Sequence, residues 1–208
     1  MQTLKLYGIP VSGHSHRVEL LLKMLNLPYE YCPAPATVRS SKEFLRLNPL
    51  GQIPVLLDDE LILTDSNAIM IYLVKRYAPD SHWLPEAPLA SAQVQTWLSK
   101  ASGEIRYGPA SCRMVVQFSV PEDYQSALAI SARFLPKMEQ HLAEREFLVT
   151  PQPTIADLAC FSYVSAAPEG GISLEPFPAI KRWIKRIEAL PGFFPMPVLP
   201  LPAQAEGR

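Results

Sequence analysis

Closely spaced cysteines are missing from this sequence. Its three cysteines, Cys32, Cys112 and Cys160, are odd in number and far apart, which argues against both a disulfide framework and a zinc site. Free thiols of this kind imply a reducing compartment, and most are packed as small apolar groups. An excess of charge is missing too: 19 basic against 20 acidic residues leave a net charge of −1. Nucleic acids and anionic membranes are recognised through a basic face, so neither is an expected partner. Apolar runs such as Leu20–Leu22 fall far short of the ~20 residues that span a bilayer. The opening segment MQTLKLYG lacks the basic-then-apolar order of a signal peptide. These absences together set the expectation of a soluble cytoplasmic protein with no metal.

What is present is a globular composition, 48% hydrophobic and 19% charged over 208 residues, enough for two small domains. Proline is abundant, with 22 residues, about twice average usage. The prolines cluster at 28–35, 79–88, 151–153, 168–178 and 191–202 and punctuate the chain.

The N-terminal part carries mixed periodicity. Leu4 and Leu6 alternate with Thr3 and Lys5, the pattern of a strand. Gly8, Pro10 and Gly13 mark a loop. From Ser15 the apolar residues Val18, Leu21, Leu22 and Leu25 recur on one helical face until Asn26 and Pro28. Tyr29–Cys32 forms a second strand, which strand–helix–strand order makes parallel to the first. Ser40 or Ser41 caps a short helix around Phe44, Leu45 and Leu47. Residues 53–57 and 61–63 make a hairpin across Asp58–Glu60, and Asp65 or Ser66 caps a further helix with Ala68, Ile69, Tyr72 and Leu73 on its stripe.

Beyond a proline-rich linker at 78–89 the period-two signal disappears. Residues 90–119 read as helix with a kink or break at Gly108-Pro109, and 122–146 as another. Thr154-Ile155-Ala156-Asp157 is an N-capping pattern before an apolar run to Val164. Pro178 opens a last helix with Ile180, Trp183, Ile184 and Ile187 on one face, ended by Pro191-Gly192. The tail from 195 is too rich in proline for a helix and is expected to be extended or disordered.

Three stretches could carry chemistry. Tyr7–Arg17 delivers hydroxyls beside a helix N-terminus, where free amides and the helix dipole favour an anion such as a thiolate. Lowering a thiol pKa of ~8.5 by ~2 units needs ~2.7 kcal/mol of preferential stabilisation. A hydroxyl bonded to a charged acceptor contributes ~1.5–3 kcal/mol, so hydroxyl and helix end together suffice. Asn48–Pro54 holds an X-Pro bond at a strand entrance, a candidate cis peptide that would turn the Ile53 amide and carbonyl toward an extended peptide ligand. Thr64–Ile69 combines amides, a hydroxyl and a carboxylate suited to both charges of a free amino-acid end. Taken singly, each stretch is equally an ordinary cap or strand entrance.

Taken in order, the Ser loop with Arg17-Val18, NPLGQIPVL at 48–56, TDSNAIMIYL at 64–73 and PTIADL at 153–158 resemble the glutathione transferase superfamily. The resemblance implies an α/β thioredoxin-like N-terminal domain over 1–77, the linker at 78–89, an all-α C-terminal helical domain over 90–194 and a proline-rich tail at 195–208. It also implies a homodimer that binds glutathione and activates its thiol. The activating serine of serine-type members lies five residues before the Arg, which is Ser12 here, with Ser15 second and Tyr7 third. No cysteine lies in that loop, which argues against thioltransferase chemistry. By the same resemblance Ile53 pairs with the cysteinyl unit of glutathione, Pro54 is cis, Gln52 touches the ligand, Asp65 and Ser66 hold its γ-glutamyl end, and Arg39, or Lys42 in its stead, its glycyl carboxylate. Tyr107, Ser111 and Met114 are the candidates to line a site for a small hydrophobic electrophile. Glutathione-dependent isomerisation or dehalogenation, and a non-catalytic binding module, are the alternatives.

Overall fold

The computed structural model describes residues 4–202. The N-terminal unit runs β1 (Leu4–Gly8), α1 (Gly13–Met24), β2 (Tyr29–Pro33), α2 (Ala36–Arg39), α3 (Lys42–Leu47), β3 (Val55–Asp58), β4 (Leu61–Thr64) and α4 (Ser66–Tyr77). The sheet is four-stranded in the order β2-β1-β3-β4. β1 pairs in parallel with β2 (Leu6 opposite Tyr31), antiparallel with β3 (Leu6 opposite Leu56), and β3 is antiparallel to β4 (Leu56 opposite Leu63).

Strand alternation sorts the side chains into two layers. Leu4, Leu6 and Leu56 pack with Val18, Leu21 and Leu22 of α1 and with Ile69, Met70 and Leu73 of α4. Val55 and Ala34 pack with Phe44 of α3 and with Tyr7 on the opposite face. Ser41 is the serine that caps α3, its hydroxyl accepting from Phe44 N at 3.2 Å. Asp65 is the cap of α4, accepting from Asn67 N and Ala68 N at 2.9 and 3.0 Å. The short α2 was not foreseen, because its four residues are too few to show a period.

The second unit contains α5 (Pro88–Lys100), a π-helical segment (Ala101–Ala110), α6 (Ser111–Phe118), α7 (Tyr124–Leu142), α8 (Ile155–Ser165), a 3₁₀ turn (Ala167–Gly170) and α9 (Pro178–Glu188). The expected break at Gly108-Pro109 is a change of winding instead: the helix runs on, widened to the π register around Pro109. A wider turn accommodates a ring that an α turn would clash with. Gly108 lies against α7, where a Cβ would sit 2.9 Å from Ser131 Oγ.

α8 is the buried centre, with every residue from Ile155 to Val164 enclosed. Asp157 is fully buried and accepts four hydrogen bonds, from Leu148 N and Trp183 Nε1 at 2.9 Å each, Thr154 N at 2.8 Å and Thr154 Oγ1 at 3.1 Å. The segment at 78–89 is docked rather than loose: Trp83 is buried and its carbonyl accepts from Ile155 N at 2.9 Å.

α8 also joins the two units. Gly13 lies so close to the Tyr163 ring that a Cβ would approach it to 2.8 Å. His16 of α1 reaches Ser162 Oγ at 2.9 Å through Nδ1 and the Phe194 carbonyl at 3.0 Å through Nε2. A carbonyl only accepts, so Nε2 carries the proton. The tail between 193 and 202 has no regular structure, yet it is held: Lys23 Nζ stands 4.3 Å from the Phe194 ring centre, and Gln117 Nε2 donates to the Pro200 carbonyl at 3.3 Å. The rest of the expected tail, 203–208, lies outside the described residues.

Candidate functional site

A cleft of about 240 Å³ opens where three stretches of the N-terminal unit converge. Its walls are His14 from α1, Asn48, Leu50, Gln52, Ile53 and Pro54 from the loop before β3, and Thr64, Asp65 and Ser66 from the start of α4. The loop is shaped from within. Asn48 is buried, donates to the Gln52 carbonyl at 2.8 Å and accepts from Leu50 N at 3.1 Å. Gly51 sits at φ +62°, which costs glycine little. The Ile53-Pro54 bond is cis.

Asp65 also has positive φ, +68°, although it is not glycine. Such a conformation is strained and persists where the surroundings impose it. Here the carboxylate is tied to the first turn of α4 through Oδ1, while Oδ2 has no hydrogen-bond partner among the described residues. Ser66 is buried, and its hydroxyl lies 3.4 Å from His14 Nδ1 and 3.5 Å from Arg17 Nη1.

Two groups here went unrecognised in the sequence. Arg17 is 0% exposed. Its Nη1 donates to Asn67 Oδ1 at 3.2 Å, whereas Nε and Nη2 have no hydrogen-bond partner among the described residues. No ion pair reaches it among the described residues, and burial pushes its pKa down. It is a cation beneath the α4 N-terminus that is met by hydrogen bonds and by the Tyr163 ring, whose centre lies 5.9 Å from its Cζ, rather than by a carboxylate in contact. His14 is hemmed in beside it. Burial first, then the charges of Arg17 and Arg106, hold its imidazole well below the ordinary histidine range, so it is neutral at pH 7. Arg17 was visible only as half of a motif, because the sequence does not show that it is buried. His14 carried no distinguishing signal.

Ser12 caps α1, its hydroxyl accepting from Ser15 N at 3.3 Å. Its own O–H meets no protein acceptor among the described residues. It is half-buried in the loop before α1 and is not itself among the residues lining the cleft, whose α1 member is His14 two positions on. Two expectations fail on geometry. Ser15 is 1% exposed and lies under Gly8, where a Cβ would meet its Oγ at 2.8 Å. It points into the interior because the helix turns it three positions away from the cap. Tyr7 packs edge-on against Phe44 at 5.9 Å on the far face of the sheet, where strand alternation puts it. Neither Tyr7 nor Ser15 lines the cleft.

Gln52, Ile53, Pro54, Asp65 and Ser66 are brought together in the cleft. Arg39 is not among the lining residues: its buried Nε has no hydrogen-bond partner among the described residues, and its carbonyl lies 3.3 Å from where a Gly51 Cβ would be. Of the three expected second-substrate residues, Ser111 is a correction. It is buried, donating to the Arg106 carbonyl at 3.0 Å and accepting from Arg106 Nη1 at 2.9 Å, so it locks the helix rather than facing a substrate. Met114 is half-buried on α6. Tyr107 is 59% exposed, with the Arg106 guanidinium 5.3 Å from its ring centre.

Comparison with known proteins identifies the family. Residues 6–81 match the family described as glutathione S-transferase, N-terminal domain, and residues 105–191 match glutathione S-transferase, C-terminal domain. Glutathione S-transferase 3 of Zea mays is 31% identical over 93% of this chain and 92% of its own. A glutathione S-transferase of Pseudomonas fluorescens superposes with a TM-score of 0.87 at 32% identity, covering 94% of this chain and 99% of that one. A Drosophila mojavensis glutathione transferase homologue, solved with bound glutathione, gives 0.83 at 28% identity over 92% of this chain and 90% of that one. With both domain families matched in order along most of its length, the chain belongs to the glutathione S-transferases.

Proposed function

We propose that this protein is a glutathione transferase in which Ser12 keeps the glutathione thiol ionised for attack on a small hydrophobic electrophile. The observation that carries the proposal is the convergence of His14 of α1, the 48–54 loop and the N-terminus of α4 on one cleft, with Ser12, whose O–H meets no protein acceptor among the described residues, two positions before His14 at the head of α1.

Glutathione lies along the cleft as an added extended strand against Ile53, whose backbone pairs with the cysteinyl unit. Asp65 Oδ2 takes the ammonium of the γ-glutamyl end, and Ser66, through its hydroxyl and its own backbone N–H, takes its α-carboxylate. Gln52 contacts the peptide, and Arg39 balances the glycyl carboxylate. The Ser12 O–H donates to the sulfur. The thiol gives up its proton to solvent, the thiolate forms a C–S bond with the electrophile, and the displaced group leaves with the bonding electron pair. Tyr107 and Met114 border the electrophile at the mouth between the two units. Tyr107 directly follows Arg106, whose charge is felt at His14 on the cleft wall.

A homodimer in the cytoplasm completes the proposal. Leu50 is 76% exposed at the rim of the cleft, and Leu61 and Ile62 are exposed on the edge strand β4. Apolar surface of this kind suits a second copy.

The test is Ser12→Ala, assayed with glutathione and an activated aromatic halide. A lost hydrogen bond to the thiolate, ~1.5–3 kcal/mol, raises the bound thiol pKa by ~1–2 units. Turnover at neutral pH is expected to fall more than about tenfold with glutathione affinity nearly intact. Unchanged turnover removes Ser12 from the mechanism.

A further inference from the structure

The Ser12 loop is gripped from the other unit by a buried arginine. Arg113, on α6, is 1% exposed. Its Nη1 donates to the Val11 carbonyl at 2.8 Å, across 102 residues of sequence, and its Nε donates to Glu169 at 2.6 Å. Val11 precedes Ser12 within a tight turn closed by Ser12 N donating to the Ile9 carbonyl at 3.0 Å. Holding the Val11 carbonyl therefore fixes the peptide plane from which the Ser12 backbone departs. One position further on, the Ser12 carbonyl accepts from His16 N at 2.9 Å as α1 begins.

The grip is itself immobilised. Glu169 is buried in the 3₁₀ turn between α8 and α9. Gly170 beside it is packed so tightly that a Cβ would lie 2.6 Å from the Arg113 backbone nitrogen. The Glu169 carbonyl accepts from Gln117 Nε2 at 2.8 Å, and the Gly170 carbonyl accepts from the Tyr124 hydroxyl at 3.0 Å. The desolvated guanidinium is anchored to the Glu169 carboxylate through Nε and spends Nη1 on the Ser12 loop, while Nη2 has no partner among the described residues.

We propose that Arg113 is a positioning residue through which the helical domain fixes the Ser12 hydroxyl opposite the glutathione sulfur. The inference rests on the role given to Ser12 above. Glutathione is held by the 48–54 loop and the α4 N-terminus, which Arg113 does not touch, so loss of the tether should separate thiol ionisation from glutathione binding.

Removing one member of the pair would strand the other charge in the interior, whereas replacing both with apolar groups is tolerated in comparable pairs. The test is therefore the double variant Arg113→Met/Glu169→Met. It is read by ultraviolet titration of the bound glutathione thiol, by glutathione affinity and by thermal melting. Ser12→Ala is run alongside, and Tyr124→Phe serves as a control that loosens the same 3₁₀ turn without touching Val11.

The bound thiol pKa is expected to rise by about one unit in the double variant, lowering turnover at neutral pH about tenfold and restoring it at alkaline pH. Glutathione Kd should stay within about threefold, a smaller change than the loss of turnover. Tyr124→Phe should melt earlier with the thiol pKa unmoved. If the double variant does not fold, Arg113→Lys, which keeps the charge but gives up the planar fork, carries the same expected direction. A thiol pKa equal to that of the wild type, or a loss of glutathione affinity as large as the loss of turnover, overturns the tether. If Ser12→Ala raises the thiol pKa and the double variant does not, only the tether falls. If Ser12→Ala leaves the thiol unmoved, the role of Ser12 falls with it.

Discussion

Replacing Arg17 with methionine tests whether a buried charge here serves the fold or the ligand. A guanidinium taken out of water costs several kcal/mol unless it is compensated. Arg17 recovers part of that through a bond to Asn67 Oδ1 at 3.2 Å and a long contact to Ser66 Oγ at 3.5 Å. Hydrogen bonds to a charged group return ~1.5–3 kcal/mol each, and two of its nitrogens return nothing. Cost and return are thus of similar size before any ligand arrives.

Arg17→Met, similar in length and neutral, is expected to change the stability of the free protein by no more than about 1 kcal/mol, or about 4 °C in Tm. That is far below the ~3–5 kcal/mol lost when one member of a compensated buried pair is removed. The α-carboxylate of bound glutathione would be the missing counter-charge. Glutathione affinity should therefore fall about tenfold or more, about 1.4 kcal/mol, measured by calorimetry. An analogue amidated at that carboxyl should lose much less. A Tm lower by more than about 10 °C together with unchanged glutathione affinity would refute the reasoning and make Arg17 a purely structural cation.

Other outcomes follow from the core. Asp157→Ala leaves the Leu148 N–H and the Trp183 Nε1–H buried without acceptors, a loss of about 4 kcal/mol at ~1–3 kcal/mol per orphaned donor and one lost cap. Asp157→Asn keeps an oxygen for those two but sets an amide against Thr154 N, and should cost about half as much in urea unfolding. His16 is held at a pKa of about 4, lowered chiefly by burial from the ordinary histidine value of 6.5. A base whose folded pKa is depressed stabilises the fold above its unfolded pKa, and that contribution is lost as pH falls from 6.5 through 4. The loss is about 3 kcal/mol, and His16→Gln should remove that slope from stability measured between pH 7 and 4.

Local chemistry written into the sequence decided the caps and the layers. Asp65, Ser41 and Thr154 with Asp157 mark helix starts, because a side-chain oxygen beside an orphan amide needs only neighbours within three residues. Period-two and helical stripes placed Leu4, Leu6, Val18 and Leu21 in one core. The order of the three glycine-, proline- and serine-bearing stretches marked the cleft, to which they contribute His14, the loop from Asn48 to Pro54 and Thr64 to Ser66.

Only the tertiary structure decided which side chains reach that cleft. Ser12 and Ser15 are both serines at one helix start, and the helix rotates the second into the interior beneath Gly8. Ser111 looked like a polar wall residue until the π-wound turn folded Arg106 onto it. Arg17, His14 and Arg113 draw their roles from burial and from partners as much as 102 positions away in the chain. Desolvation and long-range hydrogen bonds arise only when distant segments meet, so no local pattern of residues encodes them.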